Sequence, residues 1–420
     1  MKNNRVRVVI TGLGLVTPLG LDLNQIWQAL LGGRSGIRRV TQFDASGLPC
    51  QIAGELTEYQ PEDYFPAKEA RRLSRCSQIA LVAAQKAATD AGLITPFPHP
   101  ERVGVYFGTA MGGLERAVEG LEVLRSQGYQ RVNPFVLPSA LPNMPAFHIT
   151  HYFGALGPNS TITTACATGT QAVGEGAEAI RAGRADVVLA GGSEALIRDF
   201  ALGGFASMRA LPTSYNHAPE HASRPFDARR EGFVFSEGAA CLVLENLDHA
   251  RARGARAYAE IVGYASSNDA FHMATPDPTA AGAMRTMDWA LRDAGLEPRD
   301  VDYINAHGTS TQVNDAIETR AIKGLFGDHA YRVAISSTKS MIGHPMGAAG
   351  AIEAAVTALT ICRGEIHPTV NYEYPDPECD LDYVPNTWRK AHVRVALSNS
   401  FGLGSQNACL VLRAVRPWAG

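Results

Sequence analysis

Short apolar runs that stop abruptly at glycine or small polar residues recur along this chain, and helix-forming stretches fall between them. VRVVIT at 6 to 11 leads into a glycine turn, RVGVYFGTA ends in small residues, and ADVVLAGGSEA at 185 to 195 ends in glycines. The second half repeats the form in RAYAEIVGYA, VDYINAHGT, VAISSTKS and VALSNSFG. A run that is apolar at every position reads as a strand covered on both faces. Helices are expected near 22 to 32, 75 to 92, 279 to 294, 315 to 325 and 347 to 363. Covered strands alternating with helices define an α/β protein.

A chain of 420 residues exceeds what one core ordinarily supports, so two packed halves are expected, divided as 1–255 and 256–420. No Ser/Pro-rich linker separates them, so they should pack as one body, and no sequence repeat is visible. Net charge of −3 argues against a nucleic-acid partner. The seven cysteines, Cys50, Cys76, Cys166, Cys241, Cys362, Cys379 and Cys409, form no CxxC pair, which fits neither a disulfide framework nor a zinc module. A reducing cytoplasm is the expected setting. The N-terminal stretch suits a strand and turn better than a signal core. GAAGAIEAAVTALTI is too short to span a membrane and carries Glu353. ITGLGLVTPLG holds Gly12 and Gly14 after a strand. Thr17 takes the place of a third glycine and Pro18 interrupts the helix start, which argues against dinucleotide binding.

One cysteine stands at a joint. In TITTACATGT, residues 160–164 read as a strand and the small residues from Thr168 onward as a helix. Cys166 between them is either a small hydrophobe in a tight corner or a nucleophile at a helix N-terminus, where partial positive charge favours thiolate. His307 directly follows the strand VDYINA. His344 lies in STKSMIGHPMGAAG among glycines that permit close approach. Lys339, five residues before His344, would need an acidic partner such as Glu353 if buried. Zinc ligation by these groups lacks the usual spacing, whereas covalent acyl transfer through a thioester fits them. Histidine donors could then stabilise an enolate on a second substrate.

The chain resembles the elongating β-ketoacyl-acyl-carrier-protein synthases, most like the class II enzyme of bacterial fatty-acid synthesis. The resemblance runs nearly end to end through VVITGLGLVTPLG, PNMPAFHI, TACATGT, DVVLAGGSEA, SRPFDARREGFVFSEGAACLVLE, NAHGTSTQVND, SSTKSMIGHPMGAAG and SNSFG. It implies a thiolase-type fold, two similar halves stacked in layers α-β-α-β-α. It also implies that Cys166 takes the acyl chain from the phosphopantetheine arm of acyl-carrier protein, and that no further cofactor or metal is needed. His307 and His344 would hold the malonyl thioester carbonyl while carbon dioxide leaves. Lys339 and Glu353 would brace them, with Asp315 and Glu318 in support. The N–H groups of Cys166 and Phe401 would form an oxyanion hole, Phe401 and Gly402 would gate the site, and Thr309 and Thr311 would bind the pantetheine arm. Met111 and Phe205 would line the acyl pocket. The family is usually a homodimer, with a sister ketosynthase-like subunit as the heterodimeric alternative.

Two departures stand out. The family's FGFGGTN ending reads FGLGSQN, which puts Ser405 where a glycine usually permits positive φ and Leu403 where a second aromatic stands. Asn314 replaces a frequent glycine beside Asp315, a change expected to be harmless because asparagine tolerates left-handed backbone. A thiolase would show a second cysteine near this ending, an initiating synthase would replace one histidine by asparagine, and a chain-length factor would lack Cys166. A polyketide or polyene ketosynthase has the same residues and stays open as an alternative, as does a non-catalytic acyl- or carrier-protein-binding protein. In KEARRLSR, Lys68, Arg71, Arg72 and Arg75 fall at helical spacing, and the resemblance makes that face a dock for the acidic carrier protein.

Overall fold

A computed structural model of the chain describes residues 5–415. The first half holds β1 (Val8–Val16), β2 (Val103–Gly108), β3 (Asn159–Ser160), β4 (Val187–Glu194) and β5 (Gly238–Asn246). The second half holds β6 (Ala259–Asn268), β7 (Tyr303–Asn305), β8 (Ala334–Ser336), β9 (Val395–Gly402) and β10 (Gln406–Arg413). The spatial order is β3-β2-β4-β5-β1 in the first half and β8-β7-β9-β10-β6 in the second. Counted within each half, both orders place the third strand at the edge, then the second, fourth, fifth and first. The sense of each pairing also repeats: first with fifth and fifth with fourth antiparallel, second with its two neighbours parallel. The chain is therefore an internal repeat in topology, although its sequence does not show one. The halves join where Val8–Ile10 of β1 pairs antiparallel with Ala259–Ile261 of β6.

The helices sort into layers. Helices α1 (Leu23–Leu31), α2 (Arg75–Asp90), α3 (Leu114–Gln127), α4 (Met144–Phe153), α5 (Thr168–Arg181) and α6 (Asp199–Ser207) belong to the first half. Helices α7 (Ala281–Ala294), α8 (Gln312–Phe326) and α9 (Met346–Arg363) belong to the second. Helices α5 and α9 lie between the sheets, in a core with Ile10, Leu15, Val173, Ile180, Val356, Leu359 and Leu410. Helices α2 and α4 cover the outer face of one sheet over Ile79, Val105, Ile149 and Leu189. Helices α7 and α8 cover the other over Met287, Ile304, Ile322 and Leu397. This is the α-β-α-β-α stack expected of the thiolase-type fold. The centre is made of small residues because two helices must fit side by side there. A Cβ on Gly169 of α5 would meet the Ala351 nitrogen of α9 at 2.4 Å. By length and composition α9 is apolar enough to cross a membrane, yet it is buried within the protein.

Three local expectations need correction. β1 does not stop at a glycine turn but runs on to Val16, because Gly12 and Gly14 lie against α2. A Cβ on either would meet the Ala87 or Ala83 carbonyl oxygen at 2.3 or 1.9 Å. The strand expected over 160–164 shrinks to Asn159–Ser160, after which the chain leaves the ladder. KEARRLSR is not one helix. A single turn, Ala67–Ala70, is separated from α2 by an extended Ser74 (ψ 155°), and Arg75 turns inward.

Candidate active site

Cys166 lies in a 3-10 turn, Ala165–Ala167, between the end of β3 and the first turn of α5. Ala165 has φ +50°, a costly value for a residue with a Cβ. The Thr164 N–H donates to Thr168 Oγ1 at 2.8 Å and the Ala167 N–H to the Thr164 oxygen at 3.0 Å, which holds the turn. A hydrogen bond of 2.8 Å between Thr170 and Ser400 hydroxyls ties α5 to β9. That contact carries Phe401 and Gly402 to the cysteine. Gly402 approaches so closely that a Cβ there would meet the Thr164 oxygen at 3.0 Å.

The two histidines arrive from the other half. His307 follows β7, and Glu318 on α8 accepts the His307 and Gly308 N–H groups, each at 2.8 Å. His344 follows the short helix Lys339–Ile342. Its N–H donates to the Val234 oxygen at 2.7 Å and its own oxygen accepts from the Ser236 N–H at 3.2 Å. Its ring packs edge-on to Phe233, centroids 5.5 Å apart. His344 Nε2 then sits 3.1 Å from Cys166 Sγ, and the two imidazole centroids are 5.5 Å apart. Lys339 is buried, pairs with Glu353, and donates to the His307 carbonyl oxygen at 2.7 Å. Its Nζ also stands 3.4 Å from His307 Nδ1. Lysine has only donors, so Nδ1 is the acceptor and Nε2 of His307 carries the proton, free to donate into the site.

Burial sets the charge states. It pushes both histidines well below their ordinary range, with Lys339 adding to the effect, so both rings are neutral. It pushes the Cys166 thiol up to about 11 against the pull of the Leu403 N–H and Lys339. A helix N-terminus offers about 0.3–1 kcal/mol, less than one pKa unit, so here burial outweighs the helix effect expected at this joint. The proton on sulfur needs an acceptor, and His344 Nε2 is in place to be one. Burial also raises Glu318 and Glu353 to about 7, against His307 and Gly308 N–H donors in one case and Lys339 in the other.

A cavity of about 350 Å³ reaches these groups. Cys166, His307, His344, Thr309, Thr311, Phe205, Phe401 and Gly402 all line it. Thr309 and Thr311 share a 2.9 Å hydrogen bond between their hydroxyls, and Thr311 also caps α8. Met111 does not line the cavity but packs behind it, in an apolar cluster with Cys166, Phe205 and Met346. Asp315 is buried away from the rings, where it accepts the Phe226 N–H at 2.9 Å and lies 3.8 Å from Arg230. Asn314 sits in the right-handed first turn of α8 and donates to Asp315 at 3.1 Å, so left-handed tolerance plays no part in its fit. Lys68, Arg71 and Arg72 are exposed. Arg75 is not part of that face: it binds buried Glu237 at 2.7 Å and lies over Tyr59.

Two groups went unread in the sequence. The backbone N–H of Leu403 reaches the Cys166 sulfur and favours the thiolate. A backbone donor leaves no trace in side-chain identity. Glu194 in GGSEA is wholly buried beside the site, and a charged residue closing an apolar strand was the available signal. The Cys166, His307 and His344 donor atoms lie within 4.8 Å of one another, a set that by type alone also suits zinc.

Residues 5–250 match the sequence profile of the beta-ketoacyl synthase N-terminal domain, and residues 258–373 that of its C-terminal domain. The chain belongs to the beta-ketoacyl synthase family. This β-ketoacyl synthase is thus an acyl-transferring condensing enzyme. It is 47% identical over 97% of its length to 3-oxoacyl-[acyl-carrier-protein] synthase 2 of Synechocystis, covering 98% of that protein. It is 47% identical over 97% of its length to the synthase 2 of Coxiella burnetii, covering 99% of that one. Among solved structures, a β-ketoacyl synthase from Burkholderia phymatum superposes with a TM-score of 0.91 at 37% identity, over 98% of this chain and 100% of the other. A type II polyketide ketosynthase in complex with its acyl-carrier protein and bound to a hexaketide superposes at 0.90 and 36%, with the same coverage.

Proposed function

We propose that the protein extends an acyl chain by decarboxylative condensation with malonyl-acyl-carrier protein in fatty-acid elongation. The observation that carries this is the 3.1 Å approach of neutral His344 to the Cys166 thiol, inside a cavity that His307 also faces. Cys166 Sγ attacks the incoming acyl thioester carbonyl, His344 Nε2 takes the thiol proton and keeps it, and the carrier protein's pantetheine thiolate leaves and takes a proton from solvent. Malonyl thioester then enters. Its carboxylate departs as carbon dioxide, and the carbonyl oxygen, now an enolate, accepts hydrogen bonds from the two Nε2 atoms. The enolate carbon attacks the acyl carbon on Cys166. The tetrahedral oxyanion collapses, the sulfur is expelled as thiolate, and His344 returns its proton to restore the thiol. Backbone N–H groups of Cys166 and Phe401 are the oxyanion donors of this reading, Phe401 with Gly402 its gate, and Thr309 with Thr311 its pantetheine contacts. The scheme needs no metal or resident cofactor.

Acyl-carrier protein is the partner, received at the exposed Lys68, Arg71 and Arg72. A second copy of this chain is the partner on the segment formed by α3, α4 and their connection, within which Leu121, Tyr129, Phe135, Leu137, Phe147 and Tyr152 are each exposed. A heterodimer with a sister subunit is the alternative, and light scattering of the purified chain separates the two. The setting is the cytoplasm. The polyketide relative in the structural comparison keeps one other reading in view, condensation of a polyketide chain by the same residues. Incubation with defined acyl-carrier proteins, followed by mass spectrometry of the Cys166 peptide, tests both. Loading of saturated fatty acyl groups supports elongation, and loading of poly-β-ketoacyl groups alone overturns it.

A further inference from the structure

Glu194 closes β4 and is wholly buried. Its Oε1 accepts from the Thr109 hydroxyl at 3.0 Å and the Met111 N–H at 3.3 Å. Its Oε2 accepts from the Ala110 N–H at 2.9 Å and the Gly347 N–H at 3.1 Å. The Thr109 hydroxyl already accepts from the Gly112 N–H at 3.0 Å, so its own proton points to Glu194. Every neighbour donates, and the site fits an acceptor on both oxygens. An amide there must set its NH2 against two of these donors, whichever way it turns.

The carboxylate joins two segments that the reaction uses separately. Gly347 lies in the first turn of α9, three residues after His344, and the residue at the helix start, Pro345, provides no side-chain cap. First-turn N–H groups lack partners within the helix and favour negative charge, so Glu194 caps α9 from a different element. On its other side it holds the 109–111 turn, whose Met111 packs with Cys166, Phe205 and Met346. The two segments touch: a Cβ on Gly347 would meet the Ala110 nitrogen at 2.4 Å and Glu194 Oε2 at 3.0 Å.

We propose that Glu194 is a positioning residue that fixes the His344 segment and the turn beneath the acyl chain as one unit, so that both substrates' sites depend on it. This rests on the acyl-transfer reading above. The test compares wild type, Glu194→Gln and Thr109→Val in two assays. One is decarboxylation of malonyl-acyl-carrier protein, which reads the histidines. The other is kcat/KM for acylation of Cys166 across saturated acyl-carrier proteins of graded chain length, which reads the turn. Glu194→Gln is expected to lower decarboxylation about tenfold, as a misplaced donor does, and in the same protein to change the chain-length ranking. Thr109→Val, which removes one donor and leaves the carboxylate, should move both readouts in the same direction by a smaller factor. It also carries the test if the Gln variant does not fold. A common fall in all rates with the ranking preserved, or decarboxylation at the wild-type rate, overturns the proposal. Failure of the wild-type protein to acylate Cys166 at all would instead overturn the underlying reading.

Discussion

His344 Nε2 and Cys166 Sγ meet at 3.1 Å although 178 residues separate them in the chain. The contact places a neutral base from one half of the molecule against a thiol of the other half that burial holds in its protonated form.

Cys166→Ala should abolish condensation, since no other group at the site can hold the acyl chain. Cys166→Gln should also fail to condense, yet retain or raise malonyl decarboxylation because its amide imitates the acylated residue. Product formation followed by mass spectrometry distinguishes these, and full condensation by the Ala variant would refute the covalent route.

The thiol's elevated pKa gives a pH dependence with a definite sign. With the folded value near 11, the thiolate fraction rises about tenfold for each pH unit between 7 and 9. Iodoacetamide labelling of Cys166 should therefore climb across that range without a plateau. A plateau reached at pH 7 to 8 would show that the thiolate is stabilised despite burial.

Alanine at His307 or His344 should each cost about 10²- to 10³-fold in malonyl decarboxylation, the usual effect of removing one donor from a preorganised site. Only His344→Ala should also slow acylation of Cys166, because only His344 touches the sulfur. Equal acylation by the two variants would remove His344 from the proton transfer.

The basic segment divides into two functions. Charge reversal at Arg71 and Arg72 should raise KM for acyl-carrier protein, in a salt-sensitive way, and leave turnover of a small pantetheine thioester nearly unchanged. Arg75→Ala should instead lower the melting temperature, since it removes the cation from Glu237, whose side chain is fully buried and keeps only the Gln42 and Leu56 donors, at a cost of about 3 kcal/mol. Thermal melts and carrier-protein kinetics on the same variants test the division.

Ser405 has φ +67°, and its hydroxyl donates to the His272 oxygen at 3.0 Å, so the turn after Phe401 is both strained and latched to the 268–276 loop. Gly404 adds a bond to Met273, and Asp269 one to Ser405. Ser405→Gly should relieve roughly 1 kcal/mol of backbone strain and free the latch, giving faster acyl loading in rapid-quench assays. Ser405→Ala keeps the strain and should change loading less. Identical loading in all three proteins would separate the turn from gating.

The sequence by itself singled out the candidate groups for chemistry, and the family resemblance assigned their roles. Cys166, His307, Lys339 and His344 each sit where a strand or turn gives way to small residues, and such joints are local: hydrophobic period, glycine content and β-branching place them without knowledge of the fold. The partner of Lys339 was legible too, because a buried amine needs a carboxylate and Glu353 was near in the chain. The tertiary structure decided what those residues touch. The glycines after Ile10 read as a turn and instead extend a strand, because a helix more than sixty residues on rests against them. Arg75 had helical spacing with its neighbours and was drawn inward by Glu237. The thiol that a helix end was expected to ionise is held protonated, since desolvation by residues from both halves exceeds one helix terminus. The Leu403 N–H and the four donors around Glu194 belong to backbone and packing. Their directions are set by elements that meet only when the two sheets close on α5 and α9, and no run of neighbouring residues encodes that closure.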